Sequence, residues 1–212
     1  MSLFAGAAFF KSAAGLDDLP VSQGEIAFVG RSNAGKSSAI NTLAGKRLAF
    51  VSKMPGRTQL LNFYALGADR FLVDLPGYGY STAPAATRAL WEGTLGAYLR
   101  TRDPLRGAAV IMDVRRPLTE LDQRMLQWFR PTGKPVHVLL SKSDKLSRAA
   151  ARCALSKVEA ELVRLAPNFS AQLFSSLRKF GIEEAEAVFS GWLGARGPVP
   201  ARDGRPAAAP EE

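Results

Sequence analysis

Residues 26–37 read Ile26-Ala27-Phe28-Val29-Gly30-Arg31-Ser32-Asn33-Ala34-Gly35-Lys36-Ser37, an apolar run followed at once by a complete G-x-x-x-x-G-K-[ST]. The apolar run reads as a buried strand, and the segment from Lys36 has helical period, so the motif lies at the strand-to-helix turn it requires. Gly30 and Gly35 let the backbone curl tightly, so that successive N–H groups, reinforced by the helix N-terminus, point at an anion. Lys36 then reaches the β- and γ-phosphates of a nucleotide, and the Ser37 hydroxyl is a candidate Mg²⁺ ligand.

Outward from this turn, short apolar or β-branched runs alternate with longer helical segments, the pattern of an α/β fold with a mostly parallel sheet and helices on both faces. Six strands are expected, near 25–29, 61–66, 70–74, 108–113, 136–140 and 171–174, with helices near 36–44, 86–100, 119–129, 147–165 and 181–193. Ligands of such sheets sit beyond the C-terminal ends of the strands. The expected organisation is an N-terminal arm (1–22), one nucleotide-binding domain (23–194) and a disordered tail (195–212) rich in Ala, Pro, Gly and Arg. Phe4, Phe9 and Phe10 are expected to dock the arm on the domain.

Asp74 ends one strand and opens Asp74-Leu75-Pro76-Gly77, a D-x-x-G. A carboxylate at a strand tip can hold a Mg²⁺-bound water, and Gly77 offers a backbone N–H to a γ-phosphate. The polar, turn-forming segment 52–61 contains Thr58, a candidate second Mg²⁺ ligand that would be in place only when a γ-phosphate is present, which makes the segment a candidate switch. Ser141-Lys142-Ser143-Asp144 follows another strand. A carboxylate at Asp144 accepts from guanine N1–H and the 2-amino group together. Adenine lacks both donors, so such a pocket discriminates by roughly 10⁴ to 10⁵. The aliphatic stem of Lys142 can lie across the base, and the triplet Ser175-Ser176-Leu177 could give a backbone N–H to guanine O6.

Together, residues 30–37, Pro55-Gly56-Arg57-Thr58-Gln59, Asp74-Leu75-Pro76-Gly77-Tyr78-Gly79-Tyr80 and Ser141-Lys142-Ser143-Asp144 closely resemble the EngB (YsxC/YihA) family of bacterial P-loop GTPases. That family is of the TrmE-Era-EngA-EngB-Septin-like class, with a Ras-like G domain, and the resemblance extends over about residues 10–193. Arg115-Arg116-Pro117-Leu118-Thr119 also looks like the family. The resemblance implies phosphate contacts from Gly30, Arg31, Ser32, Asn33, Ala34, Gly35, Lys36 and Ser37 and from Gly56, Arg57, Thr58, Gln59 and Leu60. It implies Mg²⁺ at Ser37 and Thr58, with Asp74 acting through water. The γ-sensing loop would be Asp74, Leu75, Pro76 and Gly77, and guanine contacts would come from Ser141, Lys142, Ser143, Asp144, Ser175, Ser176 and Leu177. Lys36, Asn33, Thr58 and Gly77 would carry catalysis. The family likeness also implies a role in assembly of the large ribosomal subunit, with rRNA and ribosomal proteins as partners, and in normal cell division and septation.

Two positions shape the expectations further, while Ser143, also unusual in the fourth motif, need not touch the base. Ser141 stands where Asn or Thr is usual, which puts support of the phosphate loop in question and suggests weaker nucleotide binding. Tyr78 stands where some small GTPases use a water-orienting glutamine, so slow hydrolysis is expected, driven by phosphate positioning and charge neutralisation from Lys36 and Mg²⁺. Asn33 lies where relatives coordinate K⁺ beside the phosphates, so K⁺ stimulation is a further expectation.

Composition sets the remaining bounds. The 212 residues carry a net charge of +9, which favours polyanions such as RNA, and a single cysteine, Cys153, which rules out a disulfide framework and reads as a packing residue. The apolar N-terminus lacks a basic flank and is interrupted by Lys11, so a cytoplasmic protein without signal or anchor is expected, and a monomer. The lone His137, inside an apolar strand, reads as a core residue. The competing readings are a P-loop kinase or ATPase, disfavoured by the guanine tetrapeptide, and a basic RNA-binding module with a vestigial nucleotide site, disfavoured by the intact phosphate, metal and base motifs.

Overall fold

The computed structural model describes residues 2–49, 60–78 and 93–194. Strands β1 (Ala8–Ala13), β2 (Gly24–Gly30), β3 (Leu61–Gly67), β4 (Arg70–Asp74), β5 (Leu105–Asp113), β6 (Val136–Ser141) and β7 (Phe169–Leu173) form one sheet in the order β1-β3-β4-β2-β5-β6-β7. The five strands from β4 to β7 run parallel, and β3 and β1 extend the sheet through antiparallel pairs. Helices α1 (Lys36–Ala44), α2 (Thr94–Thr101), α3 (Glu120–Phe129), α4 (Arg148–Leu165) and α5 (Ile182–Trp192) flank it. The helix expected over 86–100 is described only in its C-terminal part, and the expected tail lies outside the described residues.

Strand alternation builds two cores. Ala27 and Val29 of β2 join α2, α3 and α4 through Tyr98, Leu126 and Leu162. Ile26 and Phe28 face the other way and pack with Ile40 and Leu43 of α1 and Phe189 of α5. Successive side chains of a strand point to opposite faces, so the apolar run 26–29 of β2 buries both, as a central parallel strand must. Thr119 and Ser147, read as first helical residues, are instead N-caps: their hydroxyls accept from Asp122 N–H and Ala150 N–H, and Thr119 with Asp122 completes a capping box.

Among the described residues the sheet has seven strands where six were expected, because residues 8–13 of the arm pair with β3. Their irregular pattern hid the strand: the run Ala8-Phe9-Phe10-Lys11-Ser12-Ala13 does not alternate, an edge strand is half solvated, and a bulge between Phe9 and Lys11 breaks its period. Of the three aromatic residues expected to dock the arm, Phe4 alone is buried, edge-on to Phe28 and Phe189, whereas Phe9 and Phe10 stay more than half exposed. Cys153, expected to pack, is exposed on α4. Among the described residues, no helix is long and apolar enough to cross a membrane.

His137 is buried in β6, as expected. Its Nε2 faces the Gln172 Oε1 acceptor at 2.8 Å, so that nitrogen carries the proton and Nδ1 accepts from the Ser170 hydroxyl at 2.8 Å. Burial lowers its pKa, the Gln172 bond opposing. At the opposite end of the sheet from the nucleotide motifs, Glu25 is fully buried and accepts from Arg102 through Nε at 3.0 Å and from the Tyr98 hydroxyl at 2.8 Å. Arg102 also donates to the Pro20 carbonyl at 2.6 Å, which ties the arm to α2 and β2.

Two outcomes follow. Arg102→Ala strands a buried carboxylate and is expected to lower unfolding free energy by about 3–5 kcal/mol in urea titration. For His137, the lowered folded-state pKa means the unfolded chain binds more protons. Its contribution is complete above the ordinary pKa of 6.5 and declines as pH falls below it. The drop in Tm between about pH 7 and about pH 5 should therefore be smaller in His137→Gln than in the parent chain.

Candidate functional site

Parallel register carries four chemistry-bearing residues to one sheet edge. Phe28 pairs with Asp74, Gly30 with Ile111, and Asp113 with Ser141, so the tips of β2, β4, β5 and β6 open side by side. Gly30 is required there, since a Cβ would stand 2.7 Å from the Ile111 carbonyl oxygen. The loop after β2 turns through Asn33 at φ 63° and Gly35 at φ 102°, both left-handed. Asn is among the few non-glycine residues that tolerate that region, which accounts for its identity on backbone grounds. Lys36 then opens α1.

The loop is clamped from behind by the β6 motif. The Ser141 hydroxyl donates to the Ala34 carbonyl and lies 3.1 Å from the Met112 carbonyl. The short serine therefore reaches the phosphate loop directly and supplies the support that its length had put in question. Gly35 explains the fit: a Cβ there would already lie 3.4 Å from Ser141 Oγ, so this side chain is in close contact with the turn. Because a trans peptide sets C=O and N–H on opposite sides, holding the Ala34 carbonyl turns the Gly35 N–H toward the inside of the loop.

Lys142, itself at φ 58°, donates through Nζ to the Asn33 carbonyl at 2.6 Å and to Asp113 Oδ2 at 2.9 Å. Asp113 was not singled out in the sequence, although an aspartate closing a strand two residues before an arginine is a legible signal. Its Oδ1 accepts from Arg115 Nε at 2.9 Å and Arg115 N–H at 3.0 Å, and its Oδ2 from Arg115 at 2.7 Å. Burial alone would raise the Asp113 pKa, but the hydrogen bonds from Arg115 and Lys142 hold it well below the ordinary carboxylate range. The ionised carboxylate fixes the Lys142 ammonium above the loop and leaves its stem free to pack.

Asp144 accepts from the Ser175 hydroxyl at 2.5 Å, and this bond lowers its pKa, with desolvation opposing. The segment after β7 thus orients the Asp144 carboxylate, a side-chain role that the sequence did not reveal. Ser175 N–H is spent on the Phe180 carbonyl at 3.1 Å, so within the triplet it is Ser176 and Leu177, not Ser175, whose N–H groups remain for a base. Ser143 N–H donates to the Phe174 carbonyl at 3.1 Å, tying the two base-side segments together.

At the phosphate end, Lys36 pairs with Asp74, both largely buried. Ser37 is the second residue of α1. Leu75 N–H donates to the Phe28 carbonyl at 3.0 Å, and Gly77 packs against the loop, where a Cβ would lie 3.3 Å from the Gly30 carbonyl oxygen. Arg31 forms a bridge with Tyr78, and Ser32 N–H donates to the Tyr78 carbonyl at 3.1 Å. Pro76 and Leu60 are half-buried beside these elements. Gly56, Arg57, Thr58 and Gln59 lie outside the described residues. The structure thus brings residues 30–37, 74–77, 141–144 and 175–177 to one edge of the sheet.

Comparison with known proteins agrees with this geometry. Residues 25–142 match the family model described as "50S ribosome-binding GTPase". The chain is 60% identical over 197 residues to "Probable GTP-binding protein EngB" of Dechloromonas aromatica, covering 91% of this chain and 90% of that one. It is 56% identical over 207 residues to the protein of the same name from Azoarcus sp., covering 95% and 99%. Among solved structures, a probable GTP-binding protein engB matches with TM-score 0.64 at 19% identity, covering 80% of this chain and 98% of that one. Aquifex aeolicus Era bound to GDP·AlF4⁻ matches with TM-score 0.65 at 20% identity, covering 86% and 61%. At such identities the structures speak for the P-loop GTPase fold, while the sequence relatives carry the family: this chain belongs to the EngB family of GTP-binding GTPases.

Proposed function

We propose that this GTPase binds Mg-GTP at the sheet edge just described, hydrolyses it slowly, and serves as a nucleotide switch in assembly of the large ribosomal subunit in the cytoplasm. Normal cell division and septation depend on it in this reading. The observation that carries the nucleotide part is the double clamp of Ser141 and Lys142 on the Ala34 and Asn33 carbonyls, which joins base and phosphate recognition in one rigid unit.

Each residue has a role in the proposal. The loop N–H groups of residues 30–37, with the α1 N-terminus, hold the phosphates, and Lys36 neutralises β- and γ-oxygens. The donor set suits magnesium, which takes hydroxyl, carboxylate-bound water and phosphate oxygens rather than a protein cage. Ser37 and Thr58 would hold it directly and Asp74 through water, and when bound it supplies charge neutralisation at the phosphates. Lys36 and Asp74 already stand together, one cation and one anion, which matches a phosphate and its metal. Asp144 reads guanine while Lys142 covers the base. Gly77 offers its N–H to the γ-phosphate, and Thr58 and residues 56–60 complete the switch. The Tyr78 side chain turns into the core, so no amide orients the attacking water from that position, and a slow intrinsic rate follows.

The ribosomal and cell-division role draws on the EngB relatives, on the family description and on the net charge of +9, which supplies salt-dependent affinity for a phosphate backbone. We take the protein to act as a monomer.

Fluorescent GTP, GDP and ATP titrations on the parent chain and Asp144→Ala test the base site. Guanine nucleotides should bind selectively, with affinity falling on the order of 10²-fold or more in the variant. Equal ATP binding would return the kinase or ATPase reading. Asn33 is assigned to K⁺ in the same scheme, so turnover is expected to be faster in KCl than in NaCl at equal ionic strength. Equal rates in the two salts remove K⁺ from the mechanism.

A further inference from the structure

A buried polar pair lies beside the γ-phosphate loop without belonging to it. Tyr78 follows Gly77 and is 2% exposed; Asp122, in the first turn of α3, is 1% exposed. The Tyr78 hydroxyl donates to Asp122 Oδ1 at 2.7 Å. The other oxygen of that carboxylate accepts from Thr119 N–H at 2.9 Å and from the Thr119 hydroxyl at 2.7 Å. One carboxylate thus joins the residue after D-x-x-G to the cap that starts α3. Burial, followed by the charge and hydrogen bond of Asp122, pushes the phenol pKa well above its ordinary value, so the hydroxyl remains a donor.

The backbone of Tyr78 is paired with the phosphate loop at the same time. Its N–H donates to the Gly30 carbonyl at 3.3 Å and its carbonyl accepts from Ser32 N–H at 3.1 Å. On the other side of Gly77, Leu75 is 1% exposed and bonded to Phe28. Gly77 is therefore held between two buried anchors. Interiors are close-packed, so its N–H cannot move toward or away from a γ-phosphate without displacing Tyr78, and Tyr78 cannot move far without disturbing Asp122. Asp122 in turn fixes the start of α3, where Leu118 sits at φ 54° and Arg115 and Arg116 are exposed.

We propose that the Tyr78–Asp122 hydrogen bond positions Gly77 for the γ-phosphate and transmits the nucleotide state to the arginine-bearing turn 115–119. The inference rests on the switch reading above and adds two positioning residues to it. A purely structural pair behaves differently: its loss weakens the site for GDP and GTP alike, because both need an intact phosphate loop.

The test uses the full chain with Mg²⁺, fluorescent GDP and a non-hydrolysable fluorescent GTP analogue, on Tyr78→Phe, Asp122→Asn and the double variant. Tyr78→Phe keeps the ring and its packing. It should weaken the GTP analogue about tenfold, a typical coupling between linked sites, while GDP affinity changes by less than about twofold. The double variant should lose no more than the larger single effect, because the two residues share one contact. Asp122→Asn, which keeps an acceptor for the Thr119 cap, reports the same ratio if Tyr78→Phe does not fold. Amide exchange at Thr119 gives a second readout: it should differ between the GTP-analogue and GDP states of the parent chain and become equal in Tyr78→Phe. Equal weakening of both nucleotides overturns the proposal, as does an unchanged ratio in both variants. A parent chain with no guanine selectivity overturns the switch reading itself and this inference with it.

Discussion

The register of the parallel strands is the constraint on which the site depends. Parallel pairing of β4, β2, β5 and β6 sets Asp74, Gly30, Asp113 and Ser141 at neighbouring tips, and each tip continues into a loop with a different task. A slip of one residue would reverse the faces of a strand and bury the wrong side chains, so the two apolar cores on either side of the sheet also fix the alignment of the polar edge. Ile26 and Phe28 against α1 and α5, and Ala27 and Val29 against α2 to α4, are the packing that keeps Gly30 in place.

On that edge the phosphate loop does not stand alone. Its outward carbonyls are taken by Ser141 and Lys142, and Lys142 is held in turn by Asp113 and, through it, by Arg115. A loop that must present N–H groups to an anion gains from having its carbonyls occupied elsewhere, because each peptide plane then has one orientation available. The consequence is that the segments assigned here to base and to phosphate share a frame. The ionised Asp113 matters here through its charge, which keeps a flexible lysine stem from leaving the loop.

Two buried carboxylates, Glu25 and Asp122, each meet a tyrosine hydroxyl and further donors. They lie at different places in the fold. Glu25 ties the arm, α2 and the base of β2 together, while Asp122 ties α3 to the residue following the γ-phosphate loop. Satisfied networks of this kind rigidify their surroundings, since breaking one bond leaves a charge stranded in a low-dielectric interior.

The sequence by itself determined the α/β class, five parallel strand positions, α1 to within a residue, and the nucleotide motifs, because these rest on local signals: apolar runs of strand length, helical period, and glycines where the backbone must turn. Local signals failed where a residue's role depends on what lies across the fold. The β1 strand was missed because a bulged edge strand has no clean alternation, and the placement of Phe9, Phe10 and Cys153 depends on which faces other elements cover. Ser141 looked too short for its task until the sheet brought it against Ala34 and Gly35, and Ser175 was read for its backbone when its hydroxyl does the orienting. The contacts of Asp113 with Lys142 and of Asp122 with Tyr78 come from tertiary structure, since these partners are 29 and 44 residues apart in sequence and meet only when the sheet and helices have closed around them.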